Sequence, residues 1–326
     1  MEKINWGIIG CGQVTELKSG PAFNKVNNSC LVAVMRRDAE KAKDYASRHN
    51  VPKWYDNAMN LINDPDVNAI YIATPPSSHE AYAFAALRAG KPVYVEKPMT
   101  VNFASAINMV NAAKETNVKL TIAHYRRAQP YFKKIKQLLD DKIIGEVRIV
   151  KLDFYKKLLS EDDLKLPGYA WRLDASVAGG GLFHDLAPHQ LDLMYYFFGA
   201  VENASGISAN QSHLYNADDV VAGNILFKNG VVFSGSWCFN VATQNERDTC
   251  EIIGSEGTLQ FSVFGEQIIV ISKNNNEQNI SFTPPRHVQQ PMIEKVVEYF
   301  LDSGPNPCSA EDGAEIMRLM DQFTET

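Results

Sequence analysis

"INWGIIGCGQVT", residues 4–15, decides how the rest of the chain is read. Ile4, Trp6, Ile8 and Ile9 form an apolar, strand-type run. Gly10 and Gly12 follow at once, and a helical pattern begins near Val14. Gly10 permits a tight turn, while Gly12 lets the backbone approach a pyrophosphate resting at the helix start. Thr15 stands where the dinucleotide fingerprint has its third glycine, and its small side chain tolerates close helix–strand packing. Such a glycine pair is informative because a strand precedes it and a helix follows. Gln13 and Val14 complete the turn expected to face a cofactor.

Beyond that turn, runs rich in Val, Ile and Tyr recur as CLVAVM (30–35), NAIYIAT (68–74), KPVYVE (91–96) and KLTIA (119–123). Helical patterns lie between them, near 14–26, 38–49, 56–63, 78–89 and 103–117. HEAYAFAALRAG (79–90) shows the type, with alanine-rich turns and a stop at Gly90. Strands alternating with helices predict a doubly wound parallel sheet over 1–123, a Rossmann-type dinucleotide domain. Ligands bind such sheets at the carboxyl ends of the strands. At the end of the second strand, AVMRRD (33–38), Arg36 and Arg37 occupy the place where an NAD binder usually offers an acid to the ribose. Two guanidiniums suit a 2′-phosphate. The expected cofactor is therefore NADP(H) in preference to NAD(H).

From residue 124 the pattern changes. A helix near 128–141 leads into the long strand GEVRIVKLDFYKK (145–157), and a loop with Pro167 and Gly168 follows. After a helix ending at Gly199, strand runs follow one another from 201 to 273, with Lys228–Gly230 and Asn274–Asn276 as hairpin turns. Two helices, near 289–302 and 310–323, close the chain. The expectation is an α+β domain over 124–326 with a large, mainly antiparallel open sheet, its closing helix 310–323 available to the first domain. Along VVAGNILFK and GVVFSGSWCFN both alternating faces are apolar: Val221, Ile225, Phe227 and Phe233 on one, Val220, Leu226 and Val232 on the other. A sheet with one wet face alternates more cleanly. A homodimer or homotetramer built through this sheet is predicted.

Composition bounds the function. With 326 residues, 45 % of them hydrophobic and 21 % charged, the chain can bury two domain cores. A net charge of −6 and the lack of a long basic run argue against a nucleic-acid partner. No apolar stretch reaches the roughly 18 residues of a membrane span, and MEKINWGIIG reads as a strand instead of a signal segment. Five scattered cysteines suit neither a disulfide framework nor a thiolate metal site, so a reduced, cytoplasmic protein is expected.

Two further stretches carry chemistry. In GGGLFHDLAPHQLDL (179–193), a helix starting near His184 puts Asp185 and His189 about 40° apart on one face, with Asp192 a turn further on. His184 falls off that face and no cysteine cluster assists, so no metal is expected. In AGKPVYVEKPM (89–99), Glu96 and Lys97 close a parallel strand, and Pro98 fixes the backbone after them.

GIIGCG, IATPPSSH, AGKPVYVEKP and GGGLFHDLAPHQLDL, in that order and spacing, resemble the Gfo/Idh/MocA oxidoreductases over nearly the whole chain. The resemblance implies a Rossmann domain followed by an open-sheet domain that mediates oligomer contacts. It implies Lys97, Asp185 and His189 as the catalytic group and a Lys97–Pro98 bond that is often cis in relatives. Thr74, Pro75 and His79 match a loop lying along the cofactor. Glu96 matches a residue near the nicotinamide ribose, and Trp171 with Arg172 match a pair close to cofactor or substrate. Tyr125 stands where many members have Asn, Ala187 replaces a common glycine, and His184 a more usual apolar residue. Tyr125, Arg126, Tyr155 and His184 are the substrate-contacting candidates.

The expected reaction moves a hydride between the nicotinamide and a sugar, polyol or related hydroxyl or carbonyl carbon. His189 would exchange the hydroxyl proton, Lys97 would stabilise the developing alkoxide, and Asp185 would orient the imidazole or bind a hydroxyl. Two alternatives share the fold. One is a cofactor-bound sensor; the other is a hydrolase or isomerase in which hydride leaves and returns to the same cofactor.

Overall fold

The computed structural model describes residues 2–324 and divides them into two compact units. One contains the chain up to Gln129 together with Pro285–Met317, and the other contains Pro130–Pro284 with the residues from Arg318 onward.

The first unit alternates strand and helix: β1 (Ile4–Ile9), α1 (Gln13–Leu17), β2 (Ser29–Met35), α2 (Ala39–Arg48), β3 (Lys53–Tyr55) and α3 (Ala58–Ile62). It continues with β4 (Ala69–Ile72), α4 (His79–Arg88), β5 (Val93–Val95), α5 (Phe103–Thr116) and β6 (Leu120–Ile122). The strands pair in the order β3-β2-β1-β4-β5-β6 and every pair is parallel. The order reverses between β1 and β4, the switch point at which such sheets bind ligands. β4, β5 and β6 are buried along their whole length because helices cover both sheet faces, which is why they read as continuous apolar runs. β3 has no signal of its own in the sequence: Lys-Trp-Tyr is too short to show a period, and it forms by pairing with β2.

The second unit opens with α6 (Pro130–Asp140) and β7 (Val147–Lys157). The stretch expected as a loop instead carries three short helices: α7 (Glu161–Lys165), α8 (Pro167–Ala170) and α9 (Ala175–Ala178). α7 starts on a capping box between Ser160 and Asp163, and Asp174 caps α9 by accepting from the Ser176 N–H. The motif helix α10 (Gly181–Phe198) begins almost a turn before His184. Then come β8 (Val201–Ala209), β9 (Val220–Phe227), β10 (Val232–Val241), β11 (Arg247–Gly254), β12 (Gly257–Phe261), β13 (Gln267–Ser272) and β14 (Glu277–Ser281). Their order is β14-β13-β12-β11-β7-β10-β9-β8, antiparallel except for the parallel pair β7 and β10. β14 is a polar strand without alternation, so no period in the sequence announces it, although the hairpin turn leading into it is legible.

One face of this sheet is the core. Val221, Ile225, Phe227, Phe233 and Trp237 are buried on it, and Phe183 of α10 packs edge-on against Trp237 with ring centroids 5.2 Å apart. On the opposite face Ile207 is 73 % exposed, Leu226 38 % and Val232 39 %.

Two helices, α11 (Gln290–Phe300) and α12 (Ala310–Thr324), end the chain. In the first unit Phe300 of α11 lies 5.6 Å from Trp6 by ring centroids, and the Lys119 ammonium caps α11 through the Tyr299 carbonyl at 2.8 Å. In the second, Phe323 of α12 packs 6.1 Å from Trp237. Among the described residues no helix is long and apolar enough to cross a membrane, and all five cysteines are free.

Candidate active site

Because the first unit's strands are all parallel, the loops after β2, β1, β4, β5 and β6 leave one edge of the sheet in that spatial order. They carry Arg36–Arg37, Gly10–Gly12, Thr74–Pro75, Glu96–Lys97 and Tyr125–Arg126 respectively. The glycine turn is tied to β2, since the Gly10 and Cys11 N–H groups both donate to the Met35 carbonyl, at 2.9 and 3.1 Å. Gly10 has φ +96°, and a Cβ there would stand 2.7 Å from Thr74 Cγ2 and 2.8 Å from the Ala73 carbonyl carbon. A side chain fits neither the backbone angle nor the space. At Gly12 a Cβ would meet nothing nearer than the Gly10 oxygen at 3.9 Å. That flank of the backbone is bare, as a dinucleotide pyrophosphate requires for close approach. Thr15 is fully buried; its hydroxyl donates to the Gly12 carbonyl at 2.8 Å, and its own carbonyl accepts from Tyr45 at 2.7 Å. Gln13 is exposed and Val14 half-buried. Burial pushes the Cys11 thiol up to about 11, which makes it an inert packing group.

Arg36 is half-buried beside this turn, with Nη1 3.4 Å from the Cys11 carbonyl oxygen, and Arg37 is exposed. The nearby acid is engaged elsewhere. Asp38 caps α2 by accepting from the Lys41 N–H at 3.1 Å, and it pairs with the Lys41 ammonium at 2.7 Å.

His79 is fully buried, with Nε2 2.7 Å from the Thr74 oxygen and Nδ1 3.1 and 3.2 Å from those of Pro98 and Met99. The ring thus fastens the loop after β4 to the loop after β5, and it acts on their positions. Burial drives its pKa down to about 4; the carbonyl contacts favour the protonated ring but are outweighed. Lys97 is half-buried and its bond to Pro98 is cis. Glu96 is 6 % exposed: its Oε1 accepts from Tyr71 at 2.5 Å and from Gln289 at 2.6 Å. Neither partner was singled out from the sequence, because Tyr71 sits in an apolar strand and Gln289 lies in the closing segment. Tyr125 is buried in a turn after β6, and the Arg126 guanidinium stands over its ring at 5.7 Å.

In the second unit, Asp185 and His189 lie one turn apart on α10. Asp185 Oδ2 accepts from Arg172 Nε at 2.8 Å. The same guanidinium donates to the Gly168 carbonyl and stacks over Trp171 at 4.5 Å. The helices α8 and α9, missed in the sequence, are what carry Arg172 to the carboxylate. The buried His189 ring packs edge-on against Phe264 at 5.7 Å, and Phe264 in turn contacts Phe154. His184 is buried against Gly180, where a Cβ would be 2.0 Å from its Nδ1, and burial lowers its pKa to about 4. Asp192 is buried further along the helix.

Tyr155 goes elsewhere. Phe154 and Trp237 are register partners on the α10 face of the sheet, so the alternation of β7 turns Tyr155 to the opposite face. There it bonds Asp153 at 2.9 Å and Ser236 at 2.8 Å. The structure therefore does not bring Tyr155 together with Asp185 and His189, contrary to its reading as a substrate contact. Among the described residues no group of three or more His, Cys, Asp or Glu side chains could hold a metal ion.

Fold and glycine turn together define a dinucleotide-binding oxidoreductase architecture. Residues 4–124 match an oxidoreductase family with an NAD-binding Rossmann fold, and residues 132–260 match its C-terminal domain. The chain belongs to this family, the Gfo/Idh/MocA oxidoreductases. It is 48 % identical to "Oxidoreductase P35" of Formosa agariphila over 99 % of both chains. It is 30 % identical to trans-1,2-dihydrobenzene-1,2-diol dehydrogenase of Bos taurus over 79 % of this chain and 73 % of that one. In fold it resembles a levoglucosan dehydrogenase solved with NADH and levoglucosan, with a TM-score of 0.86 and 22 % identity over 98 % and 96 % of the two chains.

Proposed function

We propose that this oxidoreductase transfers a hydride between a nicotinamide dinucleotide and a CH–OH or carbonyl carbon of a sugar, polyol or related ring alcohol. The observation that carries this reading is the order along one sheet edge: an arginine pair, a bare glycine turn, Thr74–Pro75 and Glu96–Lys97 on four neighbouring strands. A relative named for a ring-borne vicinal diol supports the substrate class. In this reading residues 1–123 hold the dinucleotide, aided by Trp171 and Arg172, while 124–326 supply the substrate site.

When bound, the nicotinamide supplies or receives the hydride. His189, one turn from Asp185 on α10, takes the hydroxyl proton during oxidation and returns it during reduction. The Lys97 ammonium donates a hydrogen bond to the reacting oxygen as charge develops on it. Asp185, steadied by Arg172, orients the imidazole or accepts from a neighbouring substrate hydroxyl. Arg36 and Arg37 favour a 2′-phosphate, hence NADP(H), and Asp38 is already engaged as a helix cap. The apolar open sheet face, with Ile207, Leu226 and Val232, is the surface through which a homodimer or homotetramer forms. Five free cysteines suit a reduced, cytoplasmic setting.

The test follows nicotinamide absorbance with a panel of sugars and polyols, each with NADP⁺ and NAD⁺, beside Lys97→Ala. Turnover in the parent that the variant loses is the expected result. Silence across the panel despite tight cofactor binding overturns the dehydrogenase reading.

A further inference from the structure

We infer that Tyr71 and Gln289 are positioning residues for Lys97, acting through the Glu96 carboxylate. The inference rests on the proposed role of Lys97 at the substrate oxygen, and all four residues belong to the first unit.

A carboxylate as buried as Glu96 needs donors, since few waters reach it. Its Oε1 has two, the Tyr71 hydroxyl and the Gln289 amide, at 2.5 and 2.6 Å. With that oxygen engaged, Oε2 accepts from the backbone N–H of Lys97 at 3.2 Å. The carboxylate thus works as a bracket: one oxygen is anchored to neighbouring elements, and the other holds the residue expected to meet substrate.

Each anchor is itself fixed. Tyr71 is fully buried on β4, stacks on Tyr94 with centroids 5.1 Å apart and lies 3.1 Å from Ser19 Oγ. Burial and the adjacent Glu96 charge raise its pKa well above the ordinary tyrosine value, so it stays a donor. Gln289 stands at the N-cap position of α11 without a side-chain capping bond, and its backbone N–H donates to the Lys18 carbonyl at 3.2 Å. Two residues earlier, His287 Nδ1 lies 2.6 Å from the Leu17 oxygen. The segment entering α11 is therefore fastened to the end of α1 before it delivers the amide. An amide suits the position because it offers an N–H without charge. Leucine would leave Oε1 with Tyr71 alone, and glutamate would set a second carboxylate against the first.

The test uses the full chain and the variants Gln289→Leu, Gln289→Glu, Tyr71→Phe and Lys97→Ala, assayed where circular dichroism shows each to be folded. Deuterium exchange at the Lys97 amide reads the bracket without any turnover. The expected result is protection in the parent and exchange about 10-fold faster or more in Gln289→Leu and Tyr71→Phe, as for any opened hydrogen bond. With the panel sugar the parent turns over fastest, kcat should fall up to about 100-fold in both, the scale of a small misplacement near the chemistry.

Gln289→Glu supplies the readout that a merely structural role would not move. At low pH the paired carboxyls share a proton and restore a donor; at high pH they repel. Its kcat relative to the parent should therefore climb toward one as pH falls, while the Gln289→Leu ratio stays flat. The other titratable groups facing the pair are Tyr71 on β4 and Tyr94 on β5, both held protonated by burial, with Lys97 the adjacent cation. Unchanged Lys97 amide exchange in Gln289→Leu and Tyr71→Phe overturns the inference, as does parent-level kcat in both while Lys97→Ala is inactive. An active Lys97→Ala chain overturns the role of Lys97 itself, and the inference with it.

Discussion

Arg172 and Asp185 form an ion pair in the second unit, with Nε 2.8 Å from Oδ2 and both side chains about four-fifths buried. The guanidinium also bonds the Gly168 carbonyl and lies over Trp171, so it is held on three sides. Arg172→Ala leaves the carboxylate to reorient, and kcat/KM should drop by about 10- to 100-fold. Arg172→Lys should recover only part of this loss, because an ammonium lacks the planar fork that reaches Asp185 and Gly168 together. Steady-state kinetics of the two variants decide the matter; equal activity in the alanine variant and the parent refutes it.

Cofactor choice should follow the two arginines after β2. Replacing Arg36 and Arg37 together by Ala removes two positive charges, and NADP⁺ affinity should weaken by about 10- to 100-fold, the scale of lost charge-assisted hydrogen bonds. NAD⁺ affinity should change little. Fluorescence titration of both cofactors measures this, and a parent that binds NAD⁺ more tightly than NADP⁺ would reverse the assignment.

Stability should depend on pH through buried histidines. Burial holds His79 and His184 at about 4, below the ordinary 6.5, and pushes His124 down as well. Between pH 6.5 and 4 the unfolded chain takes up protons that the folded chain refuses. Stability is therefore complete above pH 6.5 and is lost as pH falls through that window. Melting temperatures of the parent and His184→Gln, measured across the window, should converge toward its acidic end.

The open sheet face offers a test of assembly. Ile207 and Leu226 lie on adjacent strands β8 and β9 and point away from the core. Ile207→Glu with Leu226→Glu places like charges on that face and should convert an oligomer to monomer, read as a lower mass by light scattering. A monomeric parent at micromolar concentration removes the proposal.

Whatever depends on a few neighbouring residues is legible in the chain alone. Ile4–Ile9 running into Gly10 and Gly12 is legible because strand burial and turn geometry are set within about a dozen positions. Lys97 at a strand end, and Asp185 with His189 a turn apart, follow in the same way from the period of each element. The remainder depends on residues brought together from distant parts of the chain. β3 and β14 exist because a neighbouring strand offers hydrogen bonds, and neither carries an apolar period of its own. Only the pairing of β7 with β10 settles which face Tyr155 occupies. Glu96 is bracketed by a residue 193 positions away, and Asp185 is held by an arginine from a stretch that read as loop. A buried charge takes its donors from whatever the topology brings beside it, and local propensity holds no record of that choice.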